Sequence, residues 1–413
     1  MEDGALAIEP KGWRDGNLLG AHLMAIDRRG AALVAGAYEH PLREIPGRSI
    51  PEIHADVAFG ALADAGLTLR DVDAYYCDGD APGIGGMSMI EYLGLSGVRS
   101  VDSTETGGSS YLVHVAHATA AIASGTCRVA LITLAGKPRS GGRAPGGGFG
   151  RAPETPFERG YGITVPGLYA LAAQRHMHEF GTTSAQLAEI KVAAAHHAQF
   201  NPHAFLRDPV TVEEVLESPM VSDPLHRLDC CVITDGGGAL VVVHPDLAKD
   251  LPRQCVKVLG AGDATKHVDN GRIDLTYTGA VASGPRAFAE AGVTPDDIDY
   301  VSIYDSFTIT VLQSLEDLGF CEKGEGGTFV LDGALQAPHG RLPFNTDGGG
   351  LCNNHPANRG GMTKVIEAVR QLRGEANTEV QVPDCDLALA HGTGGAIGTR
   401  MVSATLILGR EDA

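Results

Sequence analysis

The chain has 413 residues, 43% apolar and 20% charged, with a net charge of −19; this fits a folded globular protein with two domains or one large double core. That acidity argues against nucleic acid as a partner and leaves no basic stripe for anionic lipid. No apolar run reaches membrane length and the N-terminal MEDGALAIEPKGWRD lacks a signal-peptide core, so a cytoplasmic location is expected.

Residues 1–30 are poorly patterned and read as an extension. AALVAGAYE (Ala31 to Glu39) reads as the first strand, followed by a helix through Ile53 to Ala65 and a second strand after GLTLRDVDAYYCDG. After VRSVDSTETGGSS, a helix is predicted from about Ser109 to Ser124, then a buried strand, VALITLAG. Such alternation indicates a parallel α/β sheet covered on both faces. From Lys137 to Arg159 the composition turns to Gly, Pro and Arg, which marks a long loop or insertion. Helices follow over Val165 to Phe180, ending at Gly181, and Ser184 to Gln199, starting at a Thr-Ser cap. The nearby His176, His178, His196, His197 and His203 lack acidic partners at ligand spacing, so no metal is expected. Cys230 to His244 (CCVITDGGGALVVVH) returns to strand character, with Asp235 and three glycines read as a turn between apolar runs.

The second half restarts the pattern. AGLTLRDVDAYYCDG (Ala65 to Gly79) aligns without gaps on AGVTPDDIDYVSIYD (Ala291 to Asp305), and the ETGGSS turn with its helix answers NRGGMT with its helix. This spacing points to two duplicated α/β halves rather than a solenoid. Functional groups in such folds gather at strand C-termini and helix N-termini near the junction. One stretch there stands out: PFNTDGGGLCNNHPANRGG, Pro343 to Gly361, places His355 in a Gly-rich loop ahead of a helix patterned by Met362, Val365, Ile366, Val369 and Leu372. A histidine at that place meets backbone N–H groups and a helix dipole that favour developing negative charge. The eight cysteines show no metal spacing and read as reduced thiols; Cys352 reads as a small buried residue despite its closeness to His355.

Together the duplicated halves, the helical insertion, TDGGGALVV, YDSF, NNHPANRGG and a terminal HGTGGAIG resemble the thiolase superfamily over about residues 31–410. The sterol carrier protein x-type branch, with its thiolase-like lipid-transfer proteins and steroid side-chain aldolases, is the nearest likeness. The resemblance implies a duplicated αβαβα five-layer α/β fold with a helical loop-domain insertion. The expected divisions are an extension over 1–30, an N-terminal thiolase-like domain over 31–250 with an insertion at about 137–222, and a C-terminal one over 251–413. The insertion is expected to lie over the active site.

The departures from the thiolase pattern carry the chemistry. Glu105 falls where a thiolase has its nucleophilic cysteine, the asparagine-bearing segment becomes Tyr304-Asp305-Ser306-Phe307, and the C-terminal cysteine region reads His391-Gly392-Thr393-Gly394-Gly395. A carboxylate cannot form the acyl-thioester on which thiolysis depends. His355 alone survives in place, as an oxyanion-stabilising or acid group. What is implied is retro-aldol cleavage of a β-hydroxyacyl-CoA, with the alternatives of an acyltransferase or a non-catalytic lipid-transfer or scaffold subunit. In that reading Tyr304 is the base, though a strand-end tyrosine is also an ordinary buried group. Asp305 either orients a neighbour or caps the helix beginning after Phe307. His391 and Glu105 each read as a proton donor or, respectively, as a packed loop histidine and a helix cap. Arg139, Arg143 and Arg151 face either coenzyme A phosphates or solvent. No cofactor is expected beyond the coenzyme A of the substrate. A homodimer and a small zinc-ribbon/OB-fold acyl-CoA-binding subunit are the partners implied.

Overall fold

A computed structural model describes residues 27–78, 81–141, 156, 159–162, 164–267, 273–356, 360–397 and 399–412. Most of the N-terminal extension, with Arg143 and Arg151, lies outside them. In the first half the strands are β1 (Leu33–Glu39), β2 (Ala74–Tyr76), β3 (Ser100–Asp102) and β4 (Val129–Gly136). A two-stranded hairpin, β5 (Met220–Ser222) and β6 (Leu225–His226), precedes β7 (Gly236–Val243). The second half contributes β8 (Val256–Lys266), β9 (Tyr300–Ile303), β10 (Leu387–Ala396) and β11 (Thr399–Arg410). These form one nine-stranded mixed sheet in the order β3-β2-β4-β7-β1-β8-β11-β10-β9. The halves meet at a short antiparallel seam where Leu33 and Val34 of β1 face Lys257 and Val256 of β8.

The helices are α1 (Ile50–Ala65), α2 (Gly86–Leu93), α3 (Ser110–Ala123), α4 (Val165–Phe180), α5 (Ser184–Ala198), α6 (Val212–Glu217), α7 (Ala280–Ala291), α8 (Thr308–Asp317) and α9 (Gly361–Arg373). Strand alternation sends neighbouring side chains to different cores. Leu240 and Val242 of β7 join the central core with Leu112 and Val115 of α3 and Val365 and Val369 of α9. Ala239, Val241 and Val243 face Val57, Ala61 and Leu62 of α1. On the far side, Ala287 and Phe288 of α7 pack with Val301, Leu389 and Ile407. α1, sheet, α3 with α9, sheet and α7 are the five layers of the expected fold.

The internal repeat has a physical counterpart. α1 and α7 each end at a left-handed glycine, Gly66 with φ 71° and Gly292 with φ 68°. Each is followed by a capping box, Thr68 with Asp71 and Thr294 with Asp297. An aspartate then enters each short strand and ties it to the next: Asp73 accepts from the amides of Arg128 and Val129, and Asp299 from those of Asp386 and Leu387. The motif recurs because the same strand-to-strand junction has to be closed twice.

Two expectations are corrected. Gly236, Gly237 and Gly238 do not form a turn; they open β7 itself. The reason is crowding across the sheet: a Cβ on Gly237 would lie 2.7 Å from the Leu134 carbonyl oxygen, and one on Gly238 2.8 Å from the Met362 side chain. Cys230 and Cys231 therefore precede the strand; Cys230 bridges Phe307 and the Cys231 amide donates to the Ser306 carbonyl.

The insertion helices brace the second half. Tyr169 of α4 stacks on Phe307 with ring centroids 4.3 Å apart. Buried Lys191 of α5 donates to the Leu351 carbonyl and to Cys352 Sγ, both at 2.9 Å. Asn201 holds the Asp347 carbonyl, and the amides of Phe205 and Leu206 donate to Asn353 and Cys352. The segment leading into His355 is thus clamped from outside by a part of the chain more than a hundred residues earlier.

Candidate active site

Three backbone elements converge at the C-terminal end of β9. The chain leaves β9 at Tyr304, whose amide donates to the His391 carbonyl of β10 at 2.9 Å. The N-terminal turn before α3 and the start of α9 meet beside it, so closely that a Cβ on Gly361 would overlap the Gly108 carbonyl oxygen. The Tyr304 ring is wedged between them: a Cβ on Gly108 would lie 2.5 Å from Tyr304 Cε2, and one on Gly360 3.1 Å from it. Glycine is required because a helix N-terminus and an aromatic ring have to share this space.

The Tyr304 hydroxyl lies 2.7 Å from His355 Nε2, and the rings meet edge to face at 5.4 Å. Both side chains are buried. Thr234 fixes the histidine from behind, its hydroxyl oxygen accepting from the His355 amide at 3.0 Å. Burial pushes the imidazole pKa down to about 4, with Asp305 pulling the other way and Lys364 adding to the depression. At neutral pH the ring is uncharged, and in one tautomer Nε2 can accept the phenolic proton.

Asp305 takes the first of its two proposed roles, in a way sequence alone did not locate. It does not cap α8, whose N-cap is Phe307 with no side-chain hydrogen bond. Its carboxylate accepts instead from the amides of Gly350 at 2.8 Å and Leu351 at 3.0 Å, fixing the single helical turn Gly349–Cys352 three residues before His355. The same carboxylate pairs with the fully buried Lys364 ammonium at 3.0 Å.

Glu105 lies three residues before Gly108 and is exposed; its Oε1 accepts from the Gly107 amide at 2.7 Å, a local contact just ahead of α3. His391 is corrected. It lies on β10 facing the α7 side of the sheet, with Nδ1 2.9 Å from Thr405 Oγ1, which is itself 2.9 Å from Ser283 Oγ of α7. Strand alternation separates it from Tyr304 even though its carbonyl touches the Tyr304 amide. Burial pushes its pKa down to about 3, and its Nε2 has no hydrogen-bond partner among the described residues.

Burial disfavours the thiolate throughout. Burial raises the pKa of all eight cysteines above the usual thiol value, and Cys352 turns its sulfur to Lys191. Arg139, read as a phosphate ligand or a surface group, stacks over Phe205 at 4.5 Å. His176 lies between Thr182 and Glu316, and His197 Nε2 accepts from the Ala337 amide at 2.8 Å. Among the described residues no group of three or more His, Cys, Asp or Glu could hold a metal ion. No described helix is long and apolar enough to cross a membrane.

Sequence reasoning missed Lys364, Glu367 and Thr234. The spacing gave no signal for the first two: Lys364 and Glu367 lie on the polar face of α9, opposite the apolar stripe, yet both are buried. Arg370, 3.2 Å from Glu367 and 3.1 Å from Glu39, extends the charges into the first half, where Arg43 pairs with Glu39 at 2.7 Å and holds Asn353.

Residues 262–410 match the family described as thiolase C-terminal domain-like. An acetyl-CoA acetyltransferase of Methanothermobacter thermautotrophicus is 34% identical, covering 89% of this chain and 97% of its own. A steroid side-chain-cleaving aldolase of Thermomonospora curvata is 33% identical, covering 92% and 98%. The solved Ltp2-ChsH2(DUF35) aldolase superposes with a TM-score of 0.84 at 32% identity, covering 93% of this chain and 98% of that one.

Proposed function

The chain belongs to the thiolase superfamily, in company with sterol carrier protein-type thiolases and steroid side-chain aldolases, and from that starting point we propose that it is a carbon–carbon lyase acting on a β-hydroxyacyl-CoA. The observation that carries this reading is the 2.7 Å contact of Tyr304 with a neutral His355, at a site whose neighbouring thiols are held protonated.

In this mechanism Tyr304 oxygen takes the β-hydroxyl proton as its own proton passes to His355 Nε2. A carbonyl forms at Cβ, the Cα–Cβ bond breaks, and its electron pair becomes the thioester enolate. The helix N-termini beside Tyr304 favour that charge. Glu105, exposed near the junction, is the proposed relay of a solvent proton to Cα, which converts the enolate to a short acyl-CoA, while the proton gained by His355 is released to solvent. The pairing assigns His355 first to the tyrosine, so its contribution to the enolate is through that proton relay. No covalent intermediate and no cofactor other than substrate coenzyme A are needed.

The substrate class we favour is a bulky side-chain thioester of the steroid type, as the names of the aldolase relatives indicate for those proteins. We also propose a DUF35-type partner subunit, the kind named in the solved Ltp2-ChsH2(DUF35) aldolase, and a homodimer. For the dimer the support is the edge strand β3, where Val101 is 45% exposed near the exposed Ile84 and Met87.

The test is incubation of the protein and such a partner with a tertiary β-hydroxyacyl-CoA, following ketone and short acyl-CoA by mass spectrometry. Absence of both products beside efficient thiolysis of a 3-ketoacyl-CoA would overturn the lyase reading. An acyltransferase is the second reading, favoured by the acetyl-CoA acetyltransferase relative; it requires an acylated residue or a direct transfer product.

A further inference from the structure

A lysine ammonium with no exposed surface is costly to bury, and Lys364 is 0% exposed in the first turn of α9. Its immediate partner is Asp305, 3.0 Å away, the residue next to Tyr304. Asp305 in turn holds the amides of Gly350 and Leu351, which begin the turn that delivers His355. Gly360, one turn before Lys364 on the same element, abuts both the Tyr304 and His355 rings. One buried cation, on the helix behind both rings, therefore pairs with the residue just after the tyrosine, and that residue holds the loop before the histidine.

We infer that Lys364 is a positioning residue for the Tyr304–His355 pair, acting through Asp305 to fix the turn that aims His355 at the tyrosine hydroxyl. It does not meet substrate. The charge has a second consequence, since the groups around His355 are Tyr304 and Asp305 after β9 and Lys364 on α9, with Asp347 and Glu367 beyond the lysine. Burial opposes the lysine's own charge, but Asp305 and Asp347 outweigh it and raise its pKa, so the cation persists across the working range. A permanent positive charge behind the imidazole keeps the ring neutral at rest, so that Nε2 is free to hydrogen-bond the phenol. The pairing has a cost: a lysine that lost Asp305 would be stranded, as would the aspartate without the lysine. Lys191, on the outer side of the same turn, bonds a carbonyl and Cys352, and does not substitute for this pair.

The inference rests on the pair being functional, but its test does not depend on turnover. The protonation of His355 is followed by NMR of ¹³C-histidine-labelled protein, the signal being assigned by its loss in His355→Gln. In Lys364→Met the His355 midpoint is expected to rise by about one pH unit or more, and in Lys364→Arg to stay with wild type. Where turnover is measurable, the acid limb of kcat/KM moves with the midpoint in Lys364→Met while KM holds. If Lys364→Met fails to fold, Lys364→Gln, which can still donate to Asp305, carries the same expectation. A folded neutral variant with an unshifted His355 midpoint overturns the inference. A shifted midpoint in a protein that cleaves no β-hydroxyacyl-CoA would uphold the positioning role and reject the lyase reading.

Discussion

The hydroxyl of Tyr304 touches Nε2 of His355 at 2.7 Å across 51 residues of sequence, and no side chain of the first half comes between them. What the first half supplies is support: the Gly108 backbone against the tyrosine ring and the Thr234 hydroxyl against the histidine amide. The second half carries the pair, and the first half packs against it.

Tyr304→Phe keeps the wedged ring and deletes one hydroxyl. Ketone release from a β-hydroxyacyl-CoA is expected to fall by about two orders of magnitude or more, the scale of a lost general base. The circular dichroism melt should stay within a few degrees of wild type. Normal turnover would end the assignment.

The pH profile follows from the histidine. With the His355 pKa depressed to about 4, the imidazole is neutral through most of the acid range. The acid limb of kcat/KM is expected near pH 4 to 5, well below the 6.5 of an ordinary histidine. A limb at 6.5 or above would show that the ring is not held neutral in the working enzyme.

Stability has its own pH dependence. His197 is fully buried, accepts the Ala337 amide through Nε2, and burial lowers its pKa to about 3. The unfolded chain takes this proton first, so the contribution is intact above pH 6.5 and is lost as pH falls from there toward 3. Melting temperatures measured from pH 7.5 to 4.5 should fall, and His197→Gln should flatten the curve. An equal slope in the variant would place the titration elsewhere.

Cys352 is a structural thiol. Cys352→Ala removes one of the two acceptors of the Lys191 ammonium, so a stability loss of about 1–2 kcal/mol is expected with turnover unchanged. Intact-mass measurement after exposure to acyl-CoA should find no acylated cysteine. An adduct on any cysteine would favour the acyltransferase reading.

Gly361→Ala tests the junction itself. The added methyl overlaps the Gly108 carbonyl oxygen, and the backbone on both sides has nowhere to move. A loss of about 3 kcal/mol, or failure to fold, is expected. A variant melting with wild type would mean that α3 and α9 are not packed at this crossing.

The duplication is legible in the sequence because it is written in short-range devices. A left-handed glycine, a Thr/Asp capping box and an aspartate entering a strand are each settled within a few residues, and they recur at Gly66 to Asp73 and Gly292 to Asp299. What is not legible is decided by distant chain. The glycines of β7 look like a turn until Met362 is packed against them, more than a hundred residues later. His391 looks like a neighbour of Tyr304 because its backbone is one, and only the strand register with Ile303 and Thr405 shows that its ring faces away. Asp305 looks like the cap of the next helix, whereas it caps a turn 45 residues on. The charge at Lys364 sits on the polar face of its helix and looks solvated; its burial depends on a carboxylate in another element.

The crossing of α3 and α9 has one more effect. The protein carries a net charge of −19, a field that repels an anionic thioester at long range. At the crossing, the N-terminal turns of two helices meet beside Tyr304. Their partial positive charge is built into backbone and enclosed by protein, so dissolved ions do not reach it as they reach surface lysines. Added salt should therefore ease the approach of substrate by screening the outer repulsion while leaving the chemical step untouched: kcat/KM rises with ionic strength and kcat stays flat.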